Sequence, residues 1–503
     1  MSDESLKEAA RASLRQRIGL WLGPVLAVLV QLLPVPDALV EIAGDGGAAR
    51  AAWLVLSLLA LMAVWWVSEA IPIPVTSLLP MIVLPVFGVQ ALGAVTAAYM
   101  HPVVVLLMGG FIIAKAIERW DLHARIALNI VARAGDHPAM IVGGFMVAGA
   151  LLSMWISNTA TSIMMMPIAL SVAAAVLGRD RLDAPFTWAL LLGVAWSCSI
   201  GGLGTLIGTP TNLIIVGYLN DKADFSIGFL QWMLLGIPTV IVMVPLAWFV
   251  LTRWAFRLEG HQQGEEGQRV VREQLAALGP LTVPQARTLI LFAIVALLWV
   301  LRQPLQRLEI AGAQPLAGLS DHIIAILGVV LAFLIPAGGR AGRGTALLDW
   351  KSAESIPWGV LLLFGGGLAL AGAISATGLG TWLGGELAGL ASLPILTLML
   401  VLTAFVIFAT EVTSNVATAS ALMPVLGAVA LATGLPVELL AAPLAMAASC
   451  AFMLPMATGP NAVAFATGHV SLPTMAAAGV RLNLLGILAI TGLSYLLAGR
   501  VFG

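Results

Sequence analysis

Ser157-Asn158-Thr159-Ala160-Thr161, with Pro167 behind it, recurs 257 residues downstream as Ser414-Asn415-Val416-Ala417-Thr418 with Pro424. Hydroxyl and carboxamide oxygens suit a hard cation, and the same groups donate neutral hydrogen bonds to an anion. Each copy runs directly into apolar sequence, Ile163 to Met166 and Ala419 to Met423. That context reads as a helix or hairpin tip at membrane depth, and the pair reads as two halves of one anion-and-cation site.

A second motif accompanies each copy: Gly204-Thr205 with Thr209-Pro210-Thr211-Asn212, and Ala457-Thr458-Gly459-Pro460-Asn461, the two asparagines lying 249 residues apart. Glycine and proline interrupt a helix here, and such backbone is tolerated at membrane depth only where it lines a cavity or is buried in protein. Freed carbonyls beside Ser, Thr and Asn oxygens suit Na+, while half-helix N-termini aim amides and a positive dipole end at an anion. The tips contain no Arg, Lys or His. A dianion held there needs co-bound cations to offset its charge in a low dielectric, which gives a physical route to Na+ coupling. A single Ser-Asn-Thr in a membrane helix reads as interhelical hydrogen bonding or packing. Two copies in register, each with its own broken helix, favour a site.

The composition requires a membrane to hold these motifs. Of 503 residues 60% are hydrophobic and 10% charged, against about 25% charged in soluble domains, and the mean hydropathy is +1.02. Apolar runs recur along the chain at transmembrane length, without the roughly 10-residue alternation of a membrane barrel. The fold class is an all-α polytopic membrane protein with about 11 transmembrane helices and two re-entrant hairpins. The formal net charge of −1 says nothing about partners. Cys198 and Cys450 lie among small apolar residues and read as packing, since neither a metal cluster nor a disulfide framework can be built from them.

In chain order the expected helices fall at about 18–35, 51–67, 72–90 and 102–118. Leu122 to Ala134, with Arg125 and Arg133 on its apolar face, reads as an interfacial amphipathic helix. A hairpin at about 139–175, a helix broken between Gly201 and Asn212, and a helix at about 229–251 complete the first half. A polar linker from Arg253 to Gln285 separates the halves. Beyond it come helices at about 286–301, 321–337 and 356–376, a weakly polar piece at 377–391, a hairpin at about 393–429, a broken helix around 438–468 and a last helix at about 482–498. The domains are thus 1–50, a basic segment with the first helix; 51–252, repeat 1; 253–285, a cytoplasmic linker; and 286–503, repeat 2.

Basic residues orient this plan, because short cytoplasmic loops hold the excess Lys and Arg. Lys7, Arg11, Arg15, Arg17, Lys115 to Arg133, Arg179, Arg181, Arg253 to Arg287, Arg340, Arg343, Lys351 and Arg481 fall inside, against Arg50, Lys222, Arg302, Arg307 and Arg500 outside. The N-terminus is therefore cytoplasmic. The first hairpin opens inward and the second outward, an inverted repeat of the kind that places a transporter site near the midplane.

With these residues in view the chain resembles the divalent anion:sodium symporters, the INDY-type carboxylate transporters. The resemblance rests on Trp66-Val67-Ser68-Glu69-Ala70-Ile71-Pro72, Leu122-His123-Ala124-Arg125-Ile126-Ala127-Leu128, the two Ser-Asn motifs and the Thr-Pro-Thr-Asn and Thr-Gly-Pro-Asn loops, and spans Val64 to Asn461. It implies a homodimer in the cell's inner (plasma) membrane, with a scaffold domain and a moving transport domain in an elevator cycle. It implies two or more co-transported Na+ per dicarboxylate. By matching position, one Na+ site uses Ser153, Ser157, Asn158 and the backbone at Gly204, and the other Thr410, Thr413, Asn415 and the backbone at Ala457. The carboxylates meet Asn158, Thr159, Asn415, Val416, Thr458 and Thr209. Many bacterial members have Ser-Asn-Thr in both copies; Val416 departs from that pattern and bears on substrate choice.

The expected function is inward Na+-coupled symport of a C4 dicarboxylate such as succinate, malate or fumarate. The alternatives are a Na+-independent dicarboxylate exchanger and a Na+-coupled citrate or sulfate transporter. The expected partners are a di- or tricarboxylate, the bilayer and a second copy of the chain, with no nucleic acid. An enzyme is not expected, since no nucleophile-and-base set, paired carboxylates or metal-ligand cluster falls within the helices. Glu411, three residues before Ser414, is a functional candidate as an intramembrane acid, sensing protons or biasing a Na+ site; the alternative is a carboxyl that braces the hairpin backbone. His101, His123, His137 and Glu69 read as helix-end anchors, and Lys115 with Glu118 as a pair at the inner boundary.

Overall fold

The computed structural model describes residues 14–178, 181–222, 225–258, 264–310, 312–340, 342–386, 389 and 393–502. Lys7, Arg11, Arg179 and part of the linker lie outside the described residues.

Within them, ten helices are long and apolar enough to cross a membrane, or eleven if Leu14–Leu32 and Asp37–Ala43, bent by 83° at Pro34 and Pro36, form one span. Val283–Gln306 shows how such a helix divides its surface. Ile290, Ile294, Leu297 and Leu301 form an exposed apolar stripe, while Thr288, Leu291, Val295 and Trp299 are buried on the opposite face. Spacings of three and four put each set on one side of the helix, and the outer set faces lipid. Thr282 and Gln285 cap its start reciprocally, with Pro284 in the first turn, where no amide bond is lost.

The repeat is visible in the helix starts. Leu122–Val131 and Leu379–Glu386, Pro138–Ser153 and Ile395–Val412, and Asn158–Leu177 and Asn415–Thr433 each begin 257 residues apart. In the first hairpin a side chain at Gly267 would touch Ile141, Val172 and Val176 together. The start of one arm therefore lies beside the end of the other, and the chain turns back at 154–157. The second hairpin turns over Thr413 and Ser414 only. The broken helices are Pro185–Gly201 with a 3-10 turn at Gly202–Gly204 and then Pro210–Lys222, and Val437–Ala448 followed by an irregular stretch and Gly459–Ala466.

Several elements differ from expectation. The span at 72–90 is two short helices, Ile73–Thr76 and Leu79–Val86, because Pro74, Pro80 and Pro85 cannot donate to the ladder. A short antiparallel ribbon, Pro336–Gly338 with Gly342–Ala346, follows helix Asp321–Leu334. The polar linker contains the helix Gly264–Ala277. Its Gln268 is buried and donates to the carbonyls of Val131 and Gly135, at 3.0 and 2.8 Å. Arg125 then gathers the carbonyls of Leu278, Gly279 and Pro280 and the Gln285 side chain, at 2.8 to 3.2 Å. His101 and His137 cap their helices by accepting the amides of Val103 and Ala139, and Lys115 pairs with Glu118 at 2.6 Å.

Candidate functional site

The two helix breaks are built alike. Asn212 donates from its carboxamide nitrogen to the carbonyls of Gly202 at 2.9 Å and Thr205 at 2.7 Å. Asn461 does the same to Ala451 at 3.0 Å and Leu454 at 3.1 Å. In both cases the bond reaches back ten and seven residues, so one asparagine satisfies two carbonyls that the broken helix leaves without helical partners. The helix then restarts over a proline, Pro210 or Pro460.

The hairpin tips are less symmetric. Ser153 donates to the Cys198 carbonyl at 2.6 Å and is bonded to Asn158. With the Asn158 amide oriented to suit its neighbours, its nitrogen also donates to the carbonyls of Gly208 at 3.1 Å and Cys198 at 3.3 Å. Asn158 thus ties the first tip to the first break. Asn415 instead accepts the amide of its own neighbour Val416 at 2.8 Å. Around it the Thr410 hydroxyl donates to the Ala448 carbonyl at 3.1 Å, and Thr413 donates to Ala409 at 2.9 Å and shares a bond with Thr418.

Tips and breaks meet at one cavity of ≈ 370 Å³, lined by Ser157, Asn158 and Thr159, by Gly208, Thr209 and Pro210, by Asn415 and Val416, and by Thr458, Gly459 and Pro460. Phe111, Pro357 and Val360 close it from the helices Pro102–Arg119 and Trp358–Ala376 and their approach. The volume is in the range of small-molecule sites, about 300–1,000 Å³. Four helices, Asn158–Leu177, Pro210–Lys222, Asn415–Thr433 and Gly459–Ala466, begin on this cavity, so four positive dipole ends converge there, with the Val416 and Asn461 amides taken by Asn415 and Thr458 and no amide at Pro210 or Pro460. No Lys, Arg or His is among the residues lining it. The surroundings can hold an anion by amides and dipoles and a hard cation by oxygens.

The halves also touch directly. Ser199 donates to the Thr458 hydroxyl at 3.4 Å, and Thr211 and Ser449 share a bond at 2.9 Å. Gly459 lies so close to the first tip that a Cβ there would stand 2.0 Å from Thr159 Oγ1, and one at Gly202 would stand 2.7 Å from the Asn158 side chain.

Asn158, Thr159, Thr209, Asn415, Val416 and Thr458, the residues expected to meet an anion, all line the cavity. Of those expected around cations, Ser157 lines it as well, Ser153 and Thr410 are fully buried behind it, and Thr413 and Ala457 are buried at its edge. Gly204 does not line it and packs against Met154 of the first hairpin turn and against Gly236; the carbonyl that the Asn158 amide reaches is that of Gly208. The spacing of 249 that relates the asparagines also sets Gly208 opposite Ala457, a signal by which sequence could have found it. Phe111, Pro357 and Val360 carry no such signal.

A family model described as the sodium:sulfate symporter transmembrane region matches residues 16–498. The chain is 41% identical over 503 residues to a protein of Staphylococcus saprophyticus subsp. saprophyticus named sodium-dependent dicarboxylate transporter SdcS, covering 99% of this chain and 94% of that one. A protein of the same name from Staphylococcus aureus strain USA300 is 39% identical, covering 97% and 92%. Among solved structures, the YdaH transporter of Alcanivorax borkumensis aligns with a TM-score of 0.59 at 16% identity, covering 91% of this chain and 100% of that one. MtrF of Neisseria gonorrhoeae aligns at 0.55 and 15%, covering 82% and 84%. At these identities the two structures speak for the fold alone.

Proposed function

The chain belongs to the sodium:sulfate symporter family of membrane transporters, the divalent anion:sodium symporters, and from that premise we propose that it carries a C4 dicarboxylate, such as succinate, malate or fumarate, into the cell together with Na+. It is a multi-pass membrane transporter and not an enzyme. The observation that carries the substrate reading is the cavity on which four helix N-termini converge with hydroxyl and carboxamide groups and no cationic side chain. A dicarboxylate there is bound by amides and by Asn158, Thr159, Thr209, Asn415 and Thr458, with Val416 against its carbon chain. Its two charges are offset by cations rather than by the protein. One Na+ takes Ser153, Ser157, Asn158 and the Gly208 carbonyl, in place of Gly204; the other takes Thr410, Thr413, Asn415 and the backbone at Ala457.

In this reading the hairpins and broken helices move as one body against a scaffold, in a homodimer with a cytoplasmic N-terminus. The relatives named as sodium-dependent dicarboxylate transporters support the cargo and the coupling ion. The test is uptake of labelled succinate into proteoliposomes, with Na+ or choline outside and unlabelled malate, fumarate, citrate and sulfate as competitors. Accumulation only under an inward Na+ gradient, displaced by C4 dicarboxylates, is expected. Equal accumulation without Na+ overturns symport in favour of exchange, and displacement by citrate or sulfate alone overturns the C4 assignment.

A further inference from the structure

Glu411 is buried near the tip of the second hairpin, and its hydrogen bonds run to the neighbouring broken helix. Its Oε1 accepts the amides of Phe452 at 2.8 Å and Met453 at 2.9 Å, and its Oε2 the amide of Leu454 at 2.9 Å. Asn483, from the last helix, donates to Oε1 at 2.6 Å and accepts from the Phe452 amide at 3.3 Å. Three consecutive amides of an irregular stretch at membrane depth thus converge on one carboxylate. Left unpaired, each would carry the cost of a buried donor.

The other half manages without an acid. At the spacing of 249 these residues correspond to Leu203, Gly204 and Thr205, and there Gly202-Leu203-Gly204 closes as a 3-10 turn. The counterpart of Glu411 at the spacing of 257 is Met154, whose carbonyl takes the Thr205 hydroxyl. In the second half Ala451-Phe452-Met453 replaces the Gly-Leu-Gly turn, the stretch stays open and the carboxylate takes its amides. The carbonyls on either side, Ala451 and Leu454, are those bound by Asn461. One short stretch is therefore held through its N–H groups by Glu411 and through its C=O groups by Asn461, and it leads directly into Ala457 and Thr458.

We propose that Glu411 is a positioning residue for the second cation site: by anchoring residues 452–454 it fixes the backbone at Ala457 that faces Na+, without itself touching the cargo. This rests on the Na+ site proposed above. The mechanism differs from bracing of the hairpin's own backbone, because the bonded amides belong to another element.

The experiment measures succinate uptake by proteoliposomes against Na+ and against succinate for wild type, E411Q and N483A. Wild type in choline buffer decides the symport reading independently; the variants decide the role of Glu411. A glutamine presents an N–H group where Leu454 also presents one, so E411Q is expected to raise the Na+ half-saturation about tenfold or more while the succinate half-saturation at saturating Na+ stays within about twofold. N483A, which leaves the carboxylate on its amides, is expected to raise the Na+ value about threefold and gives the same readout should E411Q fail to fold. An unchanged Na+ dependence in folded E411Q or in N483A overturns the proposal. So does a parallel rise in both half-saturation values.

Discussion

Asn158 and Asn415 occupy equivalent places in the two halves and hold unequal bonds. Asn158 joins its hairpin to Ser153, Cys198 and Gly208, whereas Asn415 turns onto the amide next to it. N158A therefore removes a cross-link and takes the carboxamide donor from the Gly208 carbonyl, at a cost of about 1–3 kcal/mol, so melting in detergent is expected to shift down along with the loss of uptake. N415A is expected to abolish uptake with a clearly smaller shift; equal shifts would mean that Asn415 has structural partners of the same weight. Thr159 and Val416 face the same cavity with and without a hydroxyl. V416T adds a donor for a carboxylate, and a gain of about tenfold in apparent dicarboxylate affinity, roughly 1.4 kcal/mol, is expected from competition assays. Gly459 admits no side chain beside Thr159.

Most of the element plan was legible because a spacing of 257 survives in three pairs of helix starts and because glycine and proline mark the breaks. The anion-facing residues were legible for the same reason. What escaped was whatever depends on a contact between distant elements. Gly204 and Gly208 are both glycines beside a break; packing against Met154 or proximity to Asn158 tells them apart in space, and in the sequence only the spacing of 249 that pairs Gly208 with Ala457 does. Glu411 and the amides of 452–454 are likewise far apart in the chain. The linker read as a polar boundary since Glu265, Glu266, Arg269, Arg272 and Glu273 dominate it, while its buried face, Gln268 and Val271, is too narrow to register. Docked as it is on the first hairpin and clasped by Arg125, it acts as a brace. R125A is expected to open residues 278–280 to limited proteolysis in membranes while the Na+ half-saturation stays within about twofold, since the three carbonyls it binds lie outside the cavity; unchanged protease resistance would remove Arg125 from that role.

Across the whole molecule one bond of the first helix joins parts that the proposed elevator cycle would separate. Arg15 in the first helix reaches the Val412 carbonyl at 2.7 Å beside the second hairpin turn and the Glu69 carboxylate at 3.3 Å. If the hairpins slide against the first helix, the Arg15 bond breaks in each cycle. R15A is then expected to change the maximal uptake rate and leave both half-saturation values within about twofold; a change confined to the Na+ value would put Arg15 in the site instead. The unequal broken helices reach further. The limb Pro185–Gly201 has 17 residues and the limb Val437–Ala448 has 12, or about 25 Å against about 18 Å at the rise of an α-helix. Both limbs are almost wholly buried in protein, so the difference of more than a helical turn is taken up inside the molecule and not at the lipid. Hydrophobic mismatch acts instead on lipid-facing helices such as Val283–Gln306: in phospholipids of increasing acyl length, turnover is expected to fall before substrate affinity does.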